Sequence, residues 1–201
     1  MSLLAPLQQT SRQQKARRFY ETMSPTKDDT VLVVGAGDGT DLIADYPWKA
    51  QVWALDADAD HCRTLAKTYP AVHVVCADFL NPDDLTRALG RTFSLGYSNA
   101  VLEHVADHGR FAAHLRRLCT RYWVTTPNKY WPVDMHSRLP VYHWLPESWQ
   151  VKVVFHLRPG HYRDGIHEPL SYADAPELRR LFPDATVQLL WPGYTLLVMK
   201  Q

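Results

Sequence analysis

The chain has 201 residues, of which 46% are hydrophobic and 21% charged, enough apolar side chain for one buried core and the wrong composition for a disordered or fibrous polymer. Lys and Arg number 22 against 21 Asp and Glu, so no large positive field favours nucleic acid or an anionic membrane as partner. Cys62, Cys76 and Cys119 lie far apart and form no CxxC pair, which argues against a disulfide framework or a zinc knuckle and leads us to expect a reducing cytoplasm.

The N-terminal run places its apolar residues before its basic ones, the wrong layout for a secretory leader, and no apolar stretch reaches membrane-spanning length. One domain over residues 1–201 is expected. Leu7 to Met23, carrying Arg12, Lys15, Arg17 and Arg18, reads as a polar helix ended by "SPTKDD". Residues 1–26 are therefore expected as a solvated helical flank or a lid.

Strand and helix then alternate. "TVLVVGAG", "QVWALDAD", "AVHVVCADFL", "TFSLGYSNA" and "RYWVTTPN" read as strands; "GTDLIADYP", "ADHCRTLAKTYP", "NPDDLTRALG" and "VLEHVADHGRFAAHLRRLC" read as helices. Such alternation over Val31 to Asn128 calls for a doubly wound parallel sheet with helices on both faces. Residues 128–170, dense in Pro, His, Trp and Tyr, lose the rhythm and are expected as an insertion beside the site. "SYADAPELRRLFP" resumes as a helix capped by Ser171. In "ATVQLLWPGYTLLVMK", Pro192 and Gly193 are placed at the centre of a type II turn, so the last two strands should pair antiparallel.

"VLVVGAGDGT" carries the chemistry. Strand, glycines and helix bring backbone N–H groups up to a ligand. No lysine comes after the glycines, so a triphosphate loop is excluded, and Thr40 stands where a GxGxxG dinucleotide fingerprint needs its last glycine. GxGxG suits a nucleoside with an amino-acid tail; a tight structural turn is the plain alternative. Asp56 closes the next strand about 20 residues on, where a carboxylate can accept ribose hydroxyls. Asp78, with Phe79 next to it, ends the third strand, where a carboxylate can accept an adenine amino group and the ring can pack on the base; helix capping competes for Asp78. Ser98 and Asn99 end the fourth strand and can line the cleft. Glu103 and His104 come one turn into the next helix, with His104 either a base or a hydrogen-bonded structural group.

With these residues in order, the chain resembles the class I S-adenosylmethionine-dependent methyltransferases of the small single-domain "LEHV" type. The resemblance rests on "VVGAGDG", "LDAD", "CADFL", "SNAVLEHV" and the "TPN" exit. It implies a Rossmann-like, seven-stranded, mostly parallel sheet with a C-terminal antiparallel hairpin. It assigns Gly35, Ala36 and Gly37 to the methionine end of S-adenosyl-L-methionine, Asp56 with Ala57 to the ribose side, Asp78 and Phe79 to adenine, and Asn99 to the cleft floor. The family usually carries an acid two residues before the first glycine; here Val33 stands there, with Asp38 and Asp41 as the nearest substitutes.

The resemblance also implies that "TPN…P…H…HWLP" shapes the acceptor side. His136 with Asp134 is the expected acid/base pair there, the carboxylate fixing the imidazole tautomer. Tyr130, His143 and Arg163 are expected to contact a small-molecule acceptor. The ten histidines are scattered without HExxH spacing, so no metal is expected. No membrane or nucleic-acid partner is expected, and the protein should be a monomer or homodimer. A nicotinamide-dependent oxidoreductase and a non-catalytic methyltransferase-like binding module are the competing readings.

Overall fold

The computed structural model describes residues 5–134, 136, 139–146, 148–150, 152–153 and 170–201. The fully apolar run Val31–Val34 forms β1 and is buried throughout, as a strand covered on both faces must be. Around it lie β2 (Val52–Asp56), β3 (His73–Cys76), β4 (Phe93–Asn99), β5 (Cys119–Pro127), β6 (Thr186–Leu190) and β7 (Thr195–Lys200). The sheet has seven strands in the order β3-β2-β1-β4-β5-β7-β6. β1 pairs parallel with β2 and β4, and β4 with β5, whereas β7 runs antiparallel to both β5 and β6. The expected fold class is therefore the observed one.

Alternation along β1 divides the core. Val31 and Val33 face a cluster with Phe19, Leu42, Leu65, Tyr97 and Trp123; Leu32 and Val34 face one with Phe79, Leu85, Phe111, Leu115 and Phe182. The first cluster receives α1 (Ala5–Met23), α2 (Leu42–Asp45) and α3 (Ala59–Thr68); the second receives α4 (Pro82–Leu89), α5 (His108–Leu118) and α6 (Ala175–Leu181). None of the described helices is long and apolar enough to cross a membrane.

Several expectations are corrected. The "VLEHV" stretch and residues 108–118 are not one continuous helix: Leu102–His104 is a single 3₁₀ turn, and α5 starts afresh at His108 because the Asp107 side chain accepts from the Arg110 N–H at 2.8 Å. The helix after the glycine turn is only four residues long. α6 is capped by Asp174, not Ser171; Asp174 Oδ1 accepts from the Glu177 N–H at 2.9 Å, while the Ser171 N–H donates to the Glu103 carbonyl. The last hairpin turns one residue earlier than expected, with Gly193 N–H donating to Leu190 O at 2.7 Å, Trp191 and Pro192 at the centre and a cis bond between them.

α1 is not a solvated flank. Its second half is in the core, with Ala16, Phe19 and Met23 buried and the Phe19 ring edge-on to Tyr97 and Trp123 at 5.2 and 6.0 Å. Arg121 on β5 fixes the exit of this helix by donating to the Met23 carbonyl and to Asp29. Truncating a fully buried aromatic removes both its transfer energy and its packing. Phe19→Ala should therefore lower the unfolding free energy by about 3–5 kcal/mol in urea titration; a loss under about 1 kcal/mol would mean that α1 is indeed peripheral.

Candidate functional site

The C-terminal edges of β1, β2 and β4 meet at the glycine turn, the place where open parallel sheets present ligands. Gly35, Gly37 and Gly39 all adopt positive φ, at 68°, 54° and 78°. Two of them are hemmed in: a side chain on Gly35 would strike Val101, and one on Gly39 would come within 2.6 Å of Tyr69 and 2.8 Å of Leu65. Gly37 differs, since a Cβ built there meets nothing within 4 Å. Its backbone fronts open space.

The turn is anchored to β2. Gly35 and Ala36 N–H groups both donate to Leu55 O, at 2.9 and 3.1 Å, and Gly37 N–H donates to Asp56 Oδ2 at 2.8 Å. Asp56 Oδ1 accepts from the Asp58 N–H at 2.9 Å, with the His61 ring 3.3 Å away. Asp56 thus fixes the loop as well as standing at the cleft, and Ala57 lies between Asp56 and the Asp58 N–H that it accepts from.

At the end of β4, Asn99 is the centre of a polar cluster. Its Nδ2 donates to Asp41 Oδ2 at 2.6 Å, and its Oδ1 accepts from Thr125 Oγ1 at 2.5 Å and from Lys15 Nζ at 3.1 Å. Tyr97 O–H donates to the same Asp41 oxygen at 3.1 Å. Asp41 is thereby the acid that joins Asn99, while Asp38 is occupied locally by the Thr40 N–H and hydroxyl. Val33 is core.

The third strand departs from expectation. Asp78 is exposed and accepts from the Leu80 N–H at 2.8 Å. The Phe79 ring is only 5% exposed and packs edge-on to Phe111 at 5.0 Å, so it is committed to the core instead of lying open for a base.

Past β5 the structure gathers a second cluster. Asp134 and His136 do not touch as a direct pair: Tyr172 O–H donates to Asp134 Oδ1, and His136 Nδ1 lies 2.9 Å from the Tyr172 oxygen. His136 Nε2 points to Glu103 Oε1 at 4.0 Å, and the His104 ring stands edge-on to His136 with centroids 5.0 Å apart. Glu103 is fully buried, its Oε2 held by Thr126 Oγ1 at 3.1 Å. Burial pushes its carboxyl up to about 7, against the lowering effects of Thr126 and Lys15. Burial and the neighbouring His104 hold His136 below the usual histidine range, and burial with Asp134 drives the Tyr172 hydroxyl far upward.

The expected acceptor contacts divide. His143 is turned inward, its Nε2 2.9 Å from Lys129 O and its Nδ1 3.9 Å from Asp134, so it braces the segment. Tyr130 is exposed, with its hydroxyl donating to Asp174. Arg163 lies outside the described residues. Sequence reasoning missed Tyr172, Thr125, Thr126 and Lys15 as site residues, and named Glu103 without giving it a role.

No protein-family model matches the chain, and no curated protein sequence matches it significantly. Solved structures do. A magnesium protoporphyrin IX methyltransferase from Synechocystis with bound S-adenosylhomocysteine aligns at TM-score 0.58 and 13% identity over 96% of this chain and 84% of that one. The glycopeptide N-methyltransferase MtfA with S-adenosylmethionine aligns at 0.60 and 13%, over 92% and 91% of the two chains. The CurJ carbon methyltransferase aligns at 0.61 and 13%, over 98% of this chain and 55% of its own. The chain therefore has the fold of S-adenosylmethionine-dependent methyltransferases.

Asp56 supplies the acceptor for two backbone N–H groups of the turn region, and leaving such donors unmet costs about 1–3 kcal/mol. Asp56→Ala should lose that much stability and, in amide hydrogen exchange, selectively expose Gly37 and Asp58. Unchanged protection of Gly37 would show that the turn holds itself.

Proposed function

We propose that the protein is an S-adenosylmethionine-dependent methyltransferase of the "LEHV" type acting on a small-molecule acceptor. The observation that carries this reading is Gly37: flanked by two glycines that are sterically filled, it alone fronts open space, with its N–H already oriented by Asp56. A cradle that a single Cβ would begin to fill fits a ligand lying flat on the backbone. The antiparallel β7, shared with the methyltransferase structures above, supports this reading over a nicotinamide-dependent oxidoreductase.

Gly35, Ala36 and Gly37 would hold the methionine end of the cofactor, Asp56 and Ala57 the ribose, Asp78 the adenine edge, and Asn99 the floor. Bound there, the cofactor supplies a methyl group already activated on a sulfonium sulfur, so transfer needs mainly in-line positioning and exclusion of water. The residues themselves supply that positioning. Thr125, Lys15 and Asp41, the last itself held by the Tyr97 hydroxyl, hold Asn99 through both of its side-chain polar atoms, so the cleft floor does not rotate. On the acceptor side stand His136, His104 and Glu103, with Asp134 acting on His136 through Tyr172 as a positioning residue.

Calorimetry with S-adenosylhomocysteine tests the reading. Wild-type protein should bind it saturably and leave NADH unbound. Gly37→Ala, which meets no neighbour but places a side chain at φ 54°, should cost about 1–2 kcal/mol in stability and weaken S-adenosylhomocysteine by about tenfold or more. A folded wild-type sample that gives no heat with S-adenosylhomocysteine, or a saturable signal with NADH, would overturn the proposal.

A further inference from the structure

Glu103 poses a problem that the cofactor site does not solve. Its side chain is wholly buried; Oε2 has Thr126, but Oε1 has no hydrogen-bond partner. A buried carboxylate oxygen without a donor is expensive, and cations or hydrogen-bond donors are the usual remedies.

What faces that oxygen is an imidazole nitrogen, Nε2 of His136. Tyr172 has one proton and gives it to Asp134, so its oxygen must accept, and the group that donates to it is the His136 Nδ1–H. A neutral His136 with its proton on Nδ1 carries its lone pair on Nε2, the atom aimed at Glu103 Oε1. Oε1 and Nε2 stand 4.0 Å apart, too far for a direct hydrogen bond. Metal-binding histidines are characteristically prepared in this way, by a hydrogen bond from the far ring nitrogen toward a carboxylate.

A third donor completes the group. His104 sits directly after Glu103 on the 3₁₀ turn Leu102–His104, and ligand atoms of Glu103, His104 and His136 all lie within 4.8 Å of one another. Ligands held about 2.0–2.1 Å from one ion lie about 3.0–3.4 Å apart, so the 4.0 Å between Glu103 and His136 needs an inward closure of under about 1 Å and the pairs with His104, within 4.8 Å, under about 2 Å. His104 is exposed, which leaves the group open to solvent and to exchangeable ligands, whereas Glu103 forms its closed wall.

We infer that Glu103, His104 and His136 form a binding site for one divalent first-row transition ion, with open coordination positions on the acceptor side. Two imidazoles and one carboxylate suit zinc, cobalt or manganese better than magnesium or calcium, which take oxygen ligands. Asp134 and Tyr172 orient His136 from behind, and Thr126 orients Glu103. Taken with the methyltransferase reading, on which this further step rests, the ion would hold an acceptor through an oxygen such as a hydroxyl and favour its deprotonated form, the proton leaving to solvent on the exposed His104 side. The substrate class is then a hydroxyl-bearing or similarly oxygen-ligating small molecule.

Titration of chelator-treated protein with cobalt(II), monitored by visible absorption, and calorimetry with zinc(II) test the site without any turnover. One ion per chain should bind with a ligand-field spectrum. His104→Ala, at an exposed position that leaves the core intact, and Glu103→Gln should each weaken it by about a hundredfold, and Tyr172→Phe by about tenfold or more. His73→Ala, at the far edge of the sheet, should leave it unchanged. Absence of binding would overturn the proposal and assign the gap between Glu103 and His136 to a proton; so would binding that survives both His104→Ala and Glu103→Gln. S-adenosylhomocysteine calorimetry on the same samples separates the two ideas, since loss of nucleoside binding with cobalt retained contradicts only the methyltransferase reading.

Discussion

The hydrogen bond from the Gly37 N–H to Asp56 joins the end of β1 to the end of β2 and sets the shape of the cleft. It works because β1 and β2 are parallel and in register, Val34 opposite Leu55, so that both strands release their chains at the same edge. Leu55 O then takes the Gly35 and Ala36 N–H groups, and Asp56 takes the next one. The turn is held from β2 before any ligand arrives. This is preorganisation in the ordinary sense: the ordering cost falls on folding and not on binding.

β5 separates the two halves of the site. Its neighbouring residues Thr125 and Thr126 project to opposite sides, as successive strand residues must, and each hydroxyl serves one half. Thr125 holds Asn99 toward the glycine turn, and Thr126 holds Glu103 toward His136. Lys15, delivered by the buried α1, bonds Asn99 and also lowers the Glu103 carboxyl, so a helix at the N-terminus is electrostatically part of both. Its place in the core, through Phe19, is what brings that charge there.

Strand type and the antiparallel end of the sheet were legible because the signals are local: the apolar run of β1, the glycine breaks, and the Trp-Pro-Gly turn before an apolar final run. The residues at the strand ends were legible for the same reason, since Gly35, Gly37, Asp56 and Asn99 stand directly where each strand stops. Side-chain direction was not. Phe79 sits beside an edge carboxylate in sequence but turns into the core beneath α5. His136 and Asp134, two residues apart, suggested a direct pair, whereas the bridge comes from Tyr172, which the sequence pattern put at the start of a helix and the structure leaves ahead of it. Glu103 looked like one face of a helix, and only the 3₁₀ turn and the Asp107 cap reveal why it can point inward. Long-range polar pairing of this kind leaves no period in the sequence.

In the proposed function, the Gly35–Gly37 backbone, held by Asp56, receives the methionine end of a nucleoside ligand. Amide shifts of ¹⁵N-labelled protein during titration with S-adenosylhomocysteine test this most directly. Saturable shifts of Gly35, Ala36, Gly37 and Asp58, with those of β6 unmoved, are the predicted result. Saturation without movement at Gly37, or no saturation at all, would contradict it.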